Sequence, residues 1–415
     1  MGGTHLIIKH TCTNGVRVVI EPIKTVRSVA IGIWVGVGSR YENVEQNGIS
    51  HFLEHMFFKG TKTRNAKEIA ETFDSIGGHV NAFTSKEYTC YYAKVLDTHK
   101  EMALDVLADM FFESTFLEEE LEKEKNVVLE EIKMYEDTPD DIVHDYVSKA
   151  SFGQHPLGYP ILGTKETVQR FTRDDLFRFK DEMYAPESIV ISVAGNVDES
   201  FIRNIESHFG SFSNHHPLEK AEKPLFLSET LTRKKTTEQA HLCLGFEGLP
   251  IGHVRLFDLV ILNNIFGGSM SSRLFQEVRE ERGLAYSVFS YHSSFKDQGL
   301  LTIYGGTGSE QFDQLYNVIL KEIESLKQKG VSSKEVQNSK EQLKGNVMLG
   351  LESTNSRMSR NGKNELLLKR HRSLDEIIEQ VDAVTEESVN ALAKELFSRS
   401  FSRALISPTA NFPKE

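Results

Sequence analysis

Cysteine is scarce in this chain. Only Cys12, Cys90 and Cys243 occur in 415 residues, far apart, odd in number and with no C-x-x-C spacing. That excludes a disulfide framework and fits a reducing compartment. Positive charge is also in deficit, with a formal net charge of -12, which argues against a general nucleic-acid binder, because phosphate contacts need a basic surface. No apolar run is long enough to span a bilayer. The first residues, Met-Gly-Gly-Thr-His-Leu-Ile-Ile-Lys, lack a charged region followed by a long apolar stretch, so no signal or transit peptide is expected. A cytoplasmic protein, with no membrane and no nucleic-acid partner, is the expectation. The remaining composition, 39% hydrophobic and 26% charged, is that of an ordinary folded protein, and the length suggests at least two domains.

What the chain does contain is Gly48-Ile49-Ser50-His51-Phe52-Leu53-Glu54-His55-Met56. On a helix, His51 and His55 lie one turn apart on one face, and Glu54 borders that face. Two imidazoles can share a metal ion, with a carboxylate beside them to act as a base. This order of residues is the inverted zinc-peptidase motif.

Three antiparallel strands are expected at 5–9, 16–21 and 27–37, the first turn marked by Asn14-Gly15 and the third strand holding Trp34, the only tryptophan. The His51 helix follows, then a helix at 66–76 and strands at 79–84 and 88–96. Helices are expected at 98–113, 117–136, 139–151, 173–183 and 198–209, with a buried strand at 188–195. A polar, proline-bearing stretch near 213–237 reads as a linker. Beyond it the order of strand, helix, helix, strand, strand, helix, helix returns. The expected architecture is therefore α+β: two duplicated domains, each a mainly antiparallel sheet with helices packed on one face. They would be 1–212, carrying the metal, and 238–415, whose corresponding helix at Asp258–Asn264 has neither His nor Glu.

A catalytic zinc usually takes three protein ligands. On the helix at 117–136, Leu117, Leu121, Glu124, Val128, Glu131 and Tyr135 define one face, interrupted by two carboxylates. A carboxylate on a buried face needs a cation or hydrogen-bond partner. Glu124, Glu131 and neighbouring Glu130 all stand as candidates on this pattern, since a glutamate-rich helix is otherwise an ordinary solvated surface.

Four segments together carry a likeness over nearly the whole chain: His-Phe-Leu-Glu-His-Met at 51–56, Asn-Ala-Phe-Thr at 81–84, Glu-Lys-Asn-Val-Val-Leu-Glu-Glu at 124–131 and Arg-Glu-Glu-Arg-Gly-Leu-Ala-Tyr at 279–286. The chain resembles the pitrilysin-type (M16) inverted-motif zinc peptidases, in particular the half-length branch that includes mitochondrial processing peptidase and bacterial processing proteases. The resemblance implies Glu131 as the third zinc ligand and Glu124 as the residue holding a ligand histidine in its tautomer. It implies Glu54 as general base for hydroxide attack on a peptide carbonyl. Tyr286 would donate to the oxyanion, and Arg279 would hold substrate backbone or orient the tyrosine. Asn81, Ala82 and Phe83 would take substrate by strand addition.

The expected function is thus a zinc endopeptidase acting on peptides or unstructured segments inside a closed clamshell chamber, with one Zn2+ per chain. Manganese or cobalt could occupy the same ligands. Because longer relatives hold four such domains, the resemblance also implies that two chains pair, as a homodimer or with a degenerate partner, with Arg279 and Tyr286 contributed in trans. The competing expectation is a non-catalytic scaffold or metal-binding relative of the same fold.

Overall fold

The computed structural model describes residues 7–214 and 221–413. Among the described residues, eleven strands form two sheets. They are β1 (Ile8–Thr11), β2 (Arg17–Pro22), β3 (Ser28–Val35), β4 (His79–Thr84), β5 (Thr89–Leu96), β6 (Ile189–Gly195), β7 (Thr230–Lys234), β8 (Gln239–Glu247), β9 (Ser287–Ser294), β10 (Gly299–Gly308) and β11 (Ser402–Ser407). The α-helices of the first half are α1 (Ile49–Met56), α2 (Ala66–Asp74), α3 (Lys100–Glu113), α4 (Glu118–Glu136), α5 (Pro139–Phe152), α6 (Lys165–Arg170), α7 (Arg173–Met183) and α8 (Phe201–Phe209). Those of the second half are α9 (Leu256–Phe266), α10 (Phe312–Lys329), α11 (Ser333–Gly350), α12 (Thr354–Leu367), α13 (Leu374–Asp382) and α14 (Glu386–Phe397).

The first sheet runs β1-β2-β6-β3-β5-β4 and the second β7-β11-β8-β10-β9. Without β1 the two orders coincide, strand for strand, so the duplication extends to topology. The expected antiparallel strands are present as β1, β2 and β3, but β2 and β3 are not neighbours. β6 lies between β2 and β3, antiparallel to β3 but parallel to β2, as β11 is to β7. β3 is buried on both faces: Val29, Ile31, Ile33 and Val35 join the helix-side core, while Ala30 and Trp34 face the other way, toward Met358. The expected first strand, 5–9, lies partly outside the described residues. The expected linker contains β7, and its residues 215–220 also lie outside them.

The chain forms two compact units that differ from the expected division at 212 and 238. One comprises residues up to Ile132, Pro160–Ala221 and Leu349–His371; the other comprises Lys133–Tyr159, Glu222–Met348 and the residues from Arg372 on. Each unit thus borrows a helix from the opposite half of the sequence. In the first, α12 covers the face of β2, β3 and β6 away from the main helix layer, with Met358 buried against Trp34. In the second, α5 covers the corresponding face, Val143 and Val147 meeting Cys243, Ala404 and Ile406. Gly362 permits the α12 contact, because a Cβ there would stand 2.3 Å from Trp34 Nε1.

Candidate metal centre and active site

Helix α1 starts at Gly48, whose φ of 94° lies in the left-handed region and whose Cβ, if present, would stand 2.7 Å from the Gly163 Cα. Glycine offers no side chain to cap the helix. Glu42 does so from six residues upstream: Oε2 accepts from Gly48 N at 2.7 Å and from Asn47 Nδ2 at 3.1 Å, and Oε1 accepts from Ser50 N at 2.9 Å. Burial pushes the Glu42 carboxyl up to about 7, against the opposing pull of these donors. Nothing in the sequence around Glu42 marks it for this task. Phe52, Leu53 and Met56 anchor the other side of α1 in the helix-side core.

His51 Nε2 and His55 Nε2 stand 3.2 Å apart, and Glu131 Oε2 lies 3.8 Å from the first and 3.7 Å from the second. Ligand atoms around a tetrahedral zinc at ~2.0–2.1 Å are about 3.4 Å from one another. The three donors therefore already have the spacing of one face of such a tetrahedron, and the donor set fits zinc. Glu130 is exposed, and Glu131 is the residue that reaches the histidines. Among the described residues, one other trio of metal-type donors converges, His10, Cys12 and Glu206. Its 2.7 Å contact from His10 Nε2 to Glu206 Oε1 is that of a direct hydrogen bond, closer than two ligands of one zinc would stand.

Glu124 is buried two turns before Glu131. Its Oε1 takes the Nδ1 side of His55 at 2.8 Å, and its Oε2 pairs with Lys59 Nζ at 2.6 Å. A proton on His55 Nδ1 leaves the Nε2 lone pair facing the cluster. Burial pulls the His55 imidazole down, but the Glu124 bond and the surrounding carboxylates outweigh it, and the net shift is upward. His51 goes the other way, down to about 3, through burial and then repulsion from His55. It is therefore a neutral donor across the ordinary pH range.

Glu54 is nearly buried beside this cluster. Burial raises its carboxyl above the usual range, while a hydrogen bond from Thr84 Oγ1, at 2.5 Å to Oε2, works against that rise. Thr84 ends β4, an edge strand of the first sheet. Along β4 the side chains of Val80, Ala82 and Thr84 are half-buried, and those of His79, Asn81 and Phe83 are exposed. The Ala82 N–H is held by the Asn81 Oδ1 at 2.8 Å. Phe83 packs edge-on to Trp34, Tyr88 and Tyr92. The geometry thus brings Glu54, His51, His55, Glu131, Glu124 and the end of β4 into one neighbourhood of the first unit.

Arg279 and Tyr286 belong to the second unit. Arg279 projects from a π-helical stretch, Phe275–Glu280. Its guanidinium lies over two rings, 4.8 Å from the centre of Phe275 and 4.6 Å from that of Tyr286. Tyr286 is 78% exposed.

Comparison with known proteins finds relatives over nearly the whole chain. Residues 17–165 match the family model for insulinase (peptidase family M16), and residues 170–343 match the model for the peptidase M16 inactive domain. The chain is 64% identical over 408 residues to the uncharacterized zinc protease YmxG of Bacillus subtilis, covering 98% of this chain and 100% of that one. It is 41% identical over 417 residues to an uncharacterized zinc protease of Streptomyces coelicolor, covering 98% and 90%. A protease from Helicobacter pylori shares the fold with a TM-score of 0.91 at 23% identity, covering 98% of this chain and 100% of that one. The chain belongs to the M16 peptidase family. Among the described residues, no helix is long and apolar enough to cross a membrane.

Proposed function

We propose that this protein is a zinc-dependent endopeptidase that hydrolyses peptides or unstructured protein segments, with one zinc per chain held by His51, His55 and Glu131. The observation that carries the reading is the spacing of the three donor atoms, 3.2 to 3.8 Å, with a near-buried carboxylate beside them. Zinc, when bound, supplies Lewis acidity toward water and toward a carbonyl oxygen. Glu54 takes the proton of the attacking water and returns it to the leaving amine. Glu124 fixes the His55 tautomer, and Lys59 balances the charge of Glu124. The substrate lies as an added strand along β4, its main chain replacing the Asn81 side chain at the Ala82 N–H. Tyr286 donates to the developing oxyanion, oriented by the guanidinium of Arg279 stacked on its ring. Two chains form a homodimer in which each supplies Arg279 and Tyr286 to the other's metal site, enclosing a chamber that admits unfolded chain. We place the enzyme in the cytoplasm, a reducing compartment that suits its three free, buried cysteines.

The relatives named zinc proteases support this reading over a scaffold. The test is incubation of the zinc-loaded protein and its Glu54→Gln variant with an unstructured peptide library, with and without a chelator. Cleavage is expected only for the wild type and only with metal. No cleavage of any peptide would reject the peptidase reading, and cleavage that survives Glu54→Gln would reject the base.

A further inference from the structure

We propose that Thr84 is the positioning residue for the base. Its hydroxyl holds Oε2 of Glu54 and leaves Oε1 to receive the proton, and it does so from the strand on which the substrate is laid. The inference rests on the peptidase reading above, which assigns Glu54 its role but no partner.

The hydroxyl stands 2.5 Å from Glu54 Oε2, the distance of a strong bond to an ionised acceptor. Its backbone is tied on several sides. Thr84 pairs with Thr89 across β4 and β5, and Thr89 Oγ1 donates to Val37 O at 2.9 Å. Ser85 N donates to Tyr88 O at 2.8 Å and closes the turn beyond Thr84. That turn is bound in turn to the segment leading into α1, through Ser39 N to Ser85 O at 3.1 Å and Arg40 N to Lys86 O at 2.7 Å. The buried pair of Arg40 Nη1 and Glu87 Oε1, at 2.6 Å, ties the same two segments. The donor is therefore fixed in place before any substrate arrives.

A glutamate side chain has three rotatable bonds, and without this contact the carboxylate would sample several rotamers. Only some of them place an oxygen where the water's proton is. Because Thr84 terminates the edge strand, β4 locates both the scissile bond and the base in one frame. Proton transfer needs heavy atoms within about 2.6–3.2 Å, so a misplaced carboxylate slows chemistry without weakening binding.

The test compares Thr84→Val, which keeps the shape and removes the hydroxyl, with Thr84→Ser, which keeps it, in the full-length zinc-loaded protein. The Val variant is expected to lose kcat by on the order of tenfold to a hundredfold, with KM and zinc content unchanged, and the Ser variant to stay near wild type. Unchanged kcat in Thr84→Val, equal losses in both variants, or a change confined to KM would each overturn the proposal. A readout independent of turnover is the Glu54 conformation in crystals of the zinc-loaded variants. One rotamer is expected in wild type and Thr84→Ser, and a different or mixed one in Thr84→Val. The same rotamer in all three would overturn the proposal even if no peptide is ever cleaved, whereas failure of cleavage by wild type bears on the peptidase reading alone.

Discussion

The imidazole of His55 can offer a lone pair at Nε2 only while its proton sits on Nδ1, and Glu124 Oε1, 2.8 Å away, holds it there. Glu124→Gln keeps an acceptor but loses the charge and presents an amide to Lys59. Zinc affinity, measured by competition with a chelator, is expected to fall about 10–100-fold, and an unchanged affinity would show that the tautomer needs no such partner. Glu42 permits a second prediction at this scale. Its folded carboxyl sits near 7 because of burial, above the ordinary carboxylate value, so the folded state holds its proton more tightly than the unfolded chain. Stability associated with it is full below about pH 4.5 and is lost as pH rises through 7, by up to about 3 kcal/mol. Denaturant titrations from pH 5 to 8 are expected to show this loss in wild type and not in Glu42→Gln. Parallel curves would mean that the capping donors keep Glu42 ionised throughout. His51, Glu54 and His55 were legible in the sequence because their spacing within one helix is the chemistry. Glu124 and Glu131 were legible as carboxylates on a helix face, and choosing between them and Glu130 took the family likeness. Glu42 and Thr84 were not legible, because a cap six residues upstream and a hydroxyl thirty residues downstream leave no periodic trace.

At the scale of elements, most helices and strands follow the hydrophobic period, and β4 and β6 fall at the expected 79–84 and 188–195. Helix α12 does not. Its buried residues include Thr354, Asn361, Gly362 and Glu365 beside Met358, so it has no apolar stripe to read. It is held instead by polar partners. Arg357 Nη1 lies 2.5 Å and Asn361 Nδ2 2.6 Å from the two oxygens of buried Glu21, and Ser192 Oγ donates to Met358 O at 2.7 Å. Trp34 Nε1 donates to Met358 Sδ at 3.4 Å. The first unit is therefore incomplete without a segment from far along the chain. A chain of residues 1–212 alone would expose Val19, Ala30, Trp34, Cys90, Val190 and Ala194 as a continuous apolar face. It is expected to aggregate or bind a hydrophobic dye. The same chain carrying Leu349–His371 on a flexible linker is expected to unfold cooperatively. A well-folded 1–212 chain would show that α12 is dispensable.

For the whole molecule, the duplicated topology yields two units, the first bringing His51, His55 and Glu131 together, while the paired Arg279 and Tyr286 sit on the other. If each chain completes its partner's site, a chain lacking the base and a chain lacking the phenol rescue one another. Mixing Glu54→Gln with Tyr286→Phe in equal amounts, with subunit exchange, makes half of the dimers mixed. In each mixed dimer one site has both defects, and the other has Glu54 from one chain and Tyr286 from its partner. Half of the sites in half of the dimers are whole, so activity is expected at about a quarter of wild type. If Tyr286 instead serves the zinc of its own chain, every site in the mixture carries one of the two defects, and the mixture gives only the average of the two variants. Activity per mixed dimer, followed after exchange has been verified by mass, separates these outcomes, and an average-only result would reject the shared site.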